Sequence, residues 1–145
     1  MNLPLSDTDL VTPLVLLVDD YADTRDLYRL ALEVRGFRVV EAVNGQEAVE
    51  LTRALRPAVV LMDLSMPVLD GWMATRLLKA TPDTAGIPVV ALTAHAREID
   101  RTRALDAGCD VFLSKPCLPS HLVERINQVL RRGDAPSVAD EREFN

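Results

Sequence analysis

The chain has 145 residues, 48% of them hydrophobic and 26% charged, a size and composition that suit one globular domain with a substantial core. A formal net charge of −6 excludes the basic face that general nucleic-acid binding needs, and no apolar run approaches the ~20 residues of a membrane span. The N-terminus lacks the basic start and apolar middle of a signal peptide, so the expected location is cytoplasmic, and Cys109 and Cys117 are expected to be free thiols without a role.

Residues 1–12 read as an N-terminal tail. The first apolar run is "LVLLV", 14–18, and it ends in two adjacent carboxylates, Asp19 and Asp20. A helix follows over "DTRDLYRLALEVRG", where Leu27, Leu30, Ala31 and Val34 fall at i, i+3, i+4 and i+7 and form the expected buried face. Gly36 stops it. The mixed run "FRVVEA", 37–42, reads as an edge strand. "NGQEAVELTRAL" opens with Asn44 and has Glu47 three residues on, a variant of the capping box, with Ala48, Leu51 and Leu55 expected inward.

The run "AVVLM", 58–62, leads directly into Asp63. A third helix is expected from Gly71 to Ala80 with Met73 and Leu77 facing the core. "IPVVAL", 87–92, ends at Thr93, and the helix after it, 96–107, has only Ile99 and Leu105 as large aliphatics. It is expected to be lightly anchored and mobile. "DVFLS", 110–114, ends at Lys115. The last helix, Pro119 to Arg132, has a strong apolar stripe of Leu122, Val123, Ile126, Val129 and Leu130. The polar stretch 133–145 is expected to be disordered.

Five strands alternating with five helices imply an α/β fold with a parallel sheet, helices on both faces and right-handed crossovers. The expected architecture is a flavodoxin-like, doubly wound (βα)5 unit over residues 13–132, with strand order 2-1-3-4-5. In such sheets the ligand site lies off the carboxyl ends of the strands. Those ends carry Asp19 and Asp20, Asp63, Thr93 and Lys115. Taken singly, a strand-terminal Asp is an ordinary turn residue or cap. Five equivalent placements on the core strands make a site.

Three carboxylates at ~5 Å repel by roughly 3 kcal/mol per pair at an effective dielectric of about 20. Either their pKa values rise or a cation sits among them. All-oxygen ligands without a His or Cys cluster favour a hard dication, Mg²⁺ ahead of Ca²⁺. A metal, a carboxylate and a lysine are the equipment of phosphoryl transfer, and Asp63 is the candidate nucleophile.

"VDDY", "LMDLSMPVLDG", "ALTA" and "LSKP" together resemble the signature set of a response-regulator receiver domain from two-component signalling, over about Pro13 to Arg132. That resemblance implies Asp63 as phospho-acceptor, charged by a phosphohistidine of a sensor histidine kinase or histidine phosphotransfer protein. It implies Asp19, Asp20, Asp63 and the Ser65 carbonyl as Mg²⁺ ligands and Lys115 as the contact to the phosphoryl group. A cis bond between Lys115 and Pro116 is implied too, with Pro67 and Gly71 shaping the turn after the acceptor. Thr93 and Phe112 resemble the switch pair that reshapes the surface of the fourth helix, fifth strand and fifth helix for a downstream protein. Ser65 and His95 occupy the positions that vary with phosphoryl lifetime.

The implied protein is a binding module that catalyses only its own phosphorylation and dephosphorylation. It is of the single-domain type, with a receiver cut from a hybrid kinase or larger regulator as the alternative. A haloacid-dehalogenase-type phosphatase is disfavoured because "VDDYADT" lacks the D-x-D spacing on the first strand. A nucleotide-binding fold is disfavoured by the absence of a glycine-rich phosphate loop.

Overall fold

The computed structural model describes residues 12–66, 68–94 and 96–132. The expectations for residues 1–11, Pro67, His95 and 133–145 lie outside them. Five strands alternate with five helices: β1 Leu14–Val18, α1 Ala22–Val34, β2 Arg38–Ala42, α2 Gly45–Leu55, β3 Val59–Met62, α3 Gly71–Ala80, β4 Val89–Thr93, α4 Glu98–Ala107, β5 Val111–Ser114 and α5 Pro119–Arg132. They form one parallel sheet in the order β2-β1-β3-β4-β5, as expected, with β2 at an edge.

The aliphatic strands are continuous because both sheet faces are covered. Val15, Leu17, Leu61, Val90, Leu92 and Leu113 pack with Tyr28 and Leu32 of α1 and with Leu122 and Ile126 of α5. On the other face Leu16, Val18, Met62, Ala91 and Phe112 pack with Ala48 of α2, Ala74 and Leu78 of α3 and Ala104 of α4. The stripe expected on α5 is buried at Leu122, Val123, Ile126 and Val129.

The inward faces of α1 and α3 differ from expectation, while on α2 Ala48 is buried and Leu51 packs against the core as expected and only Leu55 departs. On α1, Leu27, Leu30 and Val34 are 53%, 55% and 80% exposed, while Tyr28 and Leu32 are buried. The Tyr28 hydroxyl donates to the Cys117 carbonyl at 3.1 Å, so an aromatic tethered to the β5–α5 loop decides the rotation of the helix. On α2 the buried residues are Gly45, Ala48, Val49 and Thr52, and Leu55 is exposed. On α3 they are Gly71, Ala74, Thr75 and Leu78, leaving Met73 and Leu77 outside. Small residues on these inward faces let the helices approach the sheet closely, and the strand aliphatics supply the volume.

Caps fix where the helices begin. Asn44 Oδ1 accepts from the Glu47 N–H at 2.9 Å, and Glu47 Oε1 accepts from the Val43 N–H at 3.0 Å. Asp70 Oδ1 accepts from the Met73 N–H at 2.8 Å, which starts α3 just beyond the loop that carries Asp63. A Cβ on Gly71 would collide with the Asp63 carbonyl and the Leu64 Cα, and the Gly71 N–H donates to the Leu64 carbonyl at 3.0 Å. Glycine is therefore required for α3 to close against the acceptor loop.

Two leucines on α1 test its orientation. Leu32→Ala should cost about 2–5 kcal/mol in urea unfolding, because it opens a cavity in the core. Leu30→Ser should stay within about 0.5 kcal/mol of the parent chain. The reverse ranking would restore the helix face expected from periodicity.

Candidate functional site

Strand register brings the acidic groups together. Val18 is paired with Met62, so the residues that follow, Asp19 and Asp63, leave adjacent strands side by side. The Asp63 N–H donates to the Val18 carbonyl at 3.0 Å and the Asp19 N–H to the Ala42 carbonyl at 3.1 Å, which extends the ladder into the site. Thr93 is paired with Ser114, and the Lys115 N–H donates to the Thr93 carbonyl at 2.9 Å. The rim is thus assembled by backbone hydrogen bonds before any side chain contributes.

Carboxylate oxygens of Asp19, Asp20 and Asp63 lie within 4.8 Å of one another, with Asp19 and Asp63 buried and Asp20 exposed. Lys115 Nζ enters from the fifth strand and lies 2.6 Å from Asp19 Oδ2 and 3.7 Å from Asp63 Oδ2. Asp19 is held further by the Tyr21 N–H, which donates to its Oδ1 at 2.9 Å. The Ser65 N–H donates to Asp63 Oδ1 at 3.2 Å. The peptide bond between Lys115 and Pro116 is cis.

Burial pushes the Asp63 carboxyl above the ordinary carboxylate range. Lys115 and the Ser65 N–H oppose that rise, and the charges of Asp19 and Asp20 reinforce it. The ion pair with Lys115 is long, so desolvation wins. Three carboxylates and one ammonium leave two negative charges, the complement of a dication. The donors are all oxygens, so the set fits a hard ion such as Mg²⁺.

The remaining expected residues are close to this centre in the sheet. Thr93 ends β4 and is fully buried. Phe112 is paired with Ala91, two residues before Thr93, on the α2–α3–α4 side of the sheet, and it too is buried. Val68, in the loop after the acceptor, has φ +72°, an uncommon left-handed conformation for a β-branched residue and a local strain beside the site.

One contributor escaped the sequence reading. Arg25 Nη1 donates to the Asp19 carbonyl at 2.8 Å, and its Nε bonds Glu41 Oε1 at 2.8 Å. Arg29 Nε holds the other Glu41 oxygen at 2.7 Å. The main chain of Asp19 is thereby tied to β2 and to the first turns of α1. Arg25 precedes Tyr28 by three residues and Leu32 by seven, so the true inward stripe of α1 points it at the site. Cys109 and Cys117 are free and buried, and burial pushes the Cys109 thiol up to about 12, which makes it inert.

The family model for the response regulator receiver domain matches residues 15–127. The transcriptional regulatory protein PrrA of Mycobacterium tuberculosis is 38% identical over 126 residues, which cover 87% of this chain and 53% of PrrA. The chain therefore spans about half the length of this curated relative. A 14.6 kDa protein encoded in the sodA1 3′ region of Leptolyngbya boryana is 40% identical over 114 residues, covering 79% of this chain and 87% of that protein. Among solved structures, the signal receiver domain of a histidine kinase from Syntrophus aciditrophicus has a TM-score of 0.77 at 32% identity, covering 88% of this chain and 98% of that domain.

The raised pKa of Asp63 has a consequence for stability. Between the unfolded value, near 3.8, and the higher folded value, the native state binds more protons, so stability falls as pH rises through that window. The penalty grows with pH above the unfolded value and is complete once pH has passed the folded value. Asp63→Asn should therefore raise the melting temperature of the metal-free protein at pH 7, and the advantage should shrink as pH approaches 3.8. A variant that melts lower than the parent at pH 7 would mean that the Asp63 charge stabilises the fold.

Proposed function

The chain belongs to the response regulator receiver domain family, and we propose that it takes a phosphoryl group from a phosphohistidine onto Asp63 and so switches a protein-binding surface. The single observation that carries this reading is the cluster of Asp19, Asp20 and Asp63 with Lys115 reaching in between. Asp63 Oδ2 is the nucleophile. A P–O bond to it forms as the P–N bond of the donor breaks, and the P–N electron pair returns to the imidazole ring. Lys115 lies on the Asp19 and Asp63 side of the site, where its ammonium offsets the charge on the transferred oxygens.

Asp19, Asp20, Asp63 and the Ser65 carbonyl would hold Mg²⁺, which when bound supplies charge neutralisation for the phosphoryl oxygens. Asp19 is fixed by Lys115, Tyr21 and Arg25, so this chain's residues hold its geometry in advance. Thr93 is assigned a hydrogen bond to one phosphoryl oxygen and Phe112 the aromatic response to it. A phosphoryl group brings nearly two negative charges and three acceptor oxygens, enough to bias two states separated by ~1–3 kcal/mol.

The proposed donors are a sensor histidine kinase or a histidine phosphotransfer protein. The proposed output is a protein partner that recognises the α4–β5–α5 face. In this reading the chain catalyses chemistry only on itself and acts in the cytoplasm. No helix among the described residues is long and apolar enough to cross a membrane.

Incubation with acetyl phosphate and Mg²⁺ should add the mass of one phosphoryl group to the intact chain, and Asp63→Asn should abolish the addition. Lys115→Ala should slow it by at least tenfold. Full labelling of the Asp63→Asn chain would refute the acceptor assignment.

A further inference from the structure

Asp20 is the member of the acidic cluster that the sheet itself holds least. The N–H groups of Asp63 and Asp19 are bonded to the Val18 and Ala42 carbonyls, whereas Asp20 stands one residue beyond the second of these bonds and is exposed. The Asp19 carboxylate is held by Lys115 and the Tyr21 N–H, and the Asp63 carboxylate by the Ser65 N–H. The direction of Asp20 is set by the main chain on either side of it.

One residue holds both ends of that short run. Arg25 Nη1 donates to the Asp19 carbonyl at 2.8 Å, which fixes the peptide that enters Asp20. The Arg25 N–H donates to the Tyr21 carbonyl at 3.1 Å, which fixes the far end of the turn. Arg25 is anchored in its own right: its Nε lies 2.8 Å from Glu41 Oε1, and Arg29 Nε holds the second Glu41 oxygen at 2.7 Å. The Arg25 and Glu41 side chains are only 16% and 29% exposed, so salt screens the pair little. A guanidinium can serve a carbonyl and a carboxylate at once from one rigid fork, which an ammonium cannot.

We propose that Arg25 is a positioning residue for the dication seat: braced by Glu41 on the edge strand, it sets the direction in which Asp20 presents its carboxylate. The proposal deepens the reading of Asp19, Asp20 and Asp63 as a Mg²⁺ site and rests on that reading. The sign of the effect separates geometry from charge. A guanidinium beside the acidic cluster opposes a cation, so if Arg25 acted through its field alone, removing it would tighten Mg²⁺. Loss of positioning weakens Mg²⁺, as loss of the groups that orient metal ligands does.

Calorimetric titration of the intact chain with Mg²⁺ tests this, with melting curves in its absence to verify folding. Arg25→Met removes both charge and fork and should weaken binding by about tenfold. Glu41→Ala and Glu41→Gln remove the same negative charge, but the Gln amide oxygen can still accept from Arg25 Nε. Glu41→Ala should therefore weaken binding more than Glu41→Gln does. Should Arg25→Met not fold, Arg25→Lys keeps the charge without the fork and should weaken binding too.

An Arg25→Met chain that binds Mg²⁺ as tightly as the parent, or more tightly, overturns the proposal. If that chain also melts lower, Arg25 is a structural tie between α1 and β2 and nothing more. Equal affinity in the two Glu41 variants, or unchanged affinity in Arg25→Lys, overturns it as well. In each of these cases the parent binds Mg²⁺, and the reading of the acidic cluster stands. A parent chain that takes up no Mg²⁺ overturns both.

Discussion

Like charges held close in a partly buried rim are the constraint around which the rest of the molecule is arranged. Asp19, Asp20 and Asp63 present oxygens within 4.8 Å of one another, and Asp19 and Asp63 directly follow strands whose register is set by their neighbours. Lys115 reaches the same point from the far end of the chain and relieves part of the repulsion. The residual negative charge suits the rim to a dication and, under the proposed function, makes it a place where an incoming phosphoryl group meets a prepared field.

Surrounding structure serves that rim. Gly71 allows α3 to start against the carbonyl of Asp63, and Asp70 caps the helix at the same point. Gly45 does the equivalent on the other side: a Cβ there would collide with the Leu69 carbonyl, which accepts the Gly45 N–H at 2.9 Å. The loop after the acceptor is thus clamped between the starts of α2 and α3. Arg25, pinned by Glu41, fixes the Asp19 main chain from the opposite side.

The two faces of the sheet differ in how firmly their helices are attached. α5 buries Leu122, Val123, Ile126 and Val129 against β strands, whereas α4 turns alanines and charged side chains inward. Area burial favours α5 strongly. A helix attached by aliphatic packing cannot change position without opening a cavity. That contrast leaves α4, beside the strand that carries Phe112, with less aliphatic burial than α5.

The sequence by itself determined the order of elements, the parallel sheet and the rim. Continuous aliphatic runs mark strands covered on both faces, and the polar residue ending each run must emerge at the same edge of a parallel sheet. Asp19, Asp63, Thr93 and Lys115 were therefore legible from position alone. Helix rotation was not: counting aliphatics chose Leu27, Leu30 and Val34 on α1, Leu55 on α2, and Met73 and Leu77 on α3, all of which face outward. Only the tertiary structure decided this, because inward faces there are selected by fit, small residues where a helix must approach closely and Tyr28 where a hydroxyl finds the Cys117 carbonyl. The same holds for Arg25, whose partners lie on other elements: a charged residue inside a helix reads as solvent-facing until the carbonyl that receives it is known.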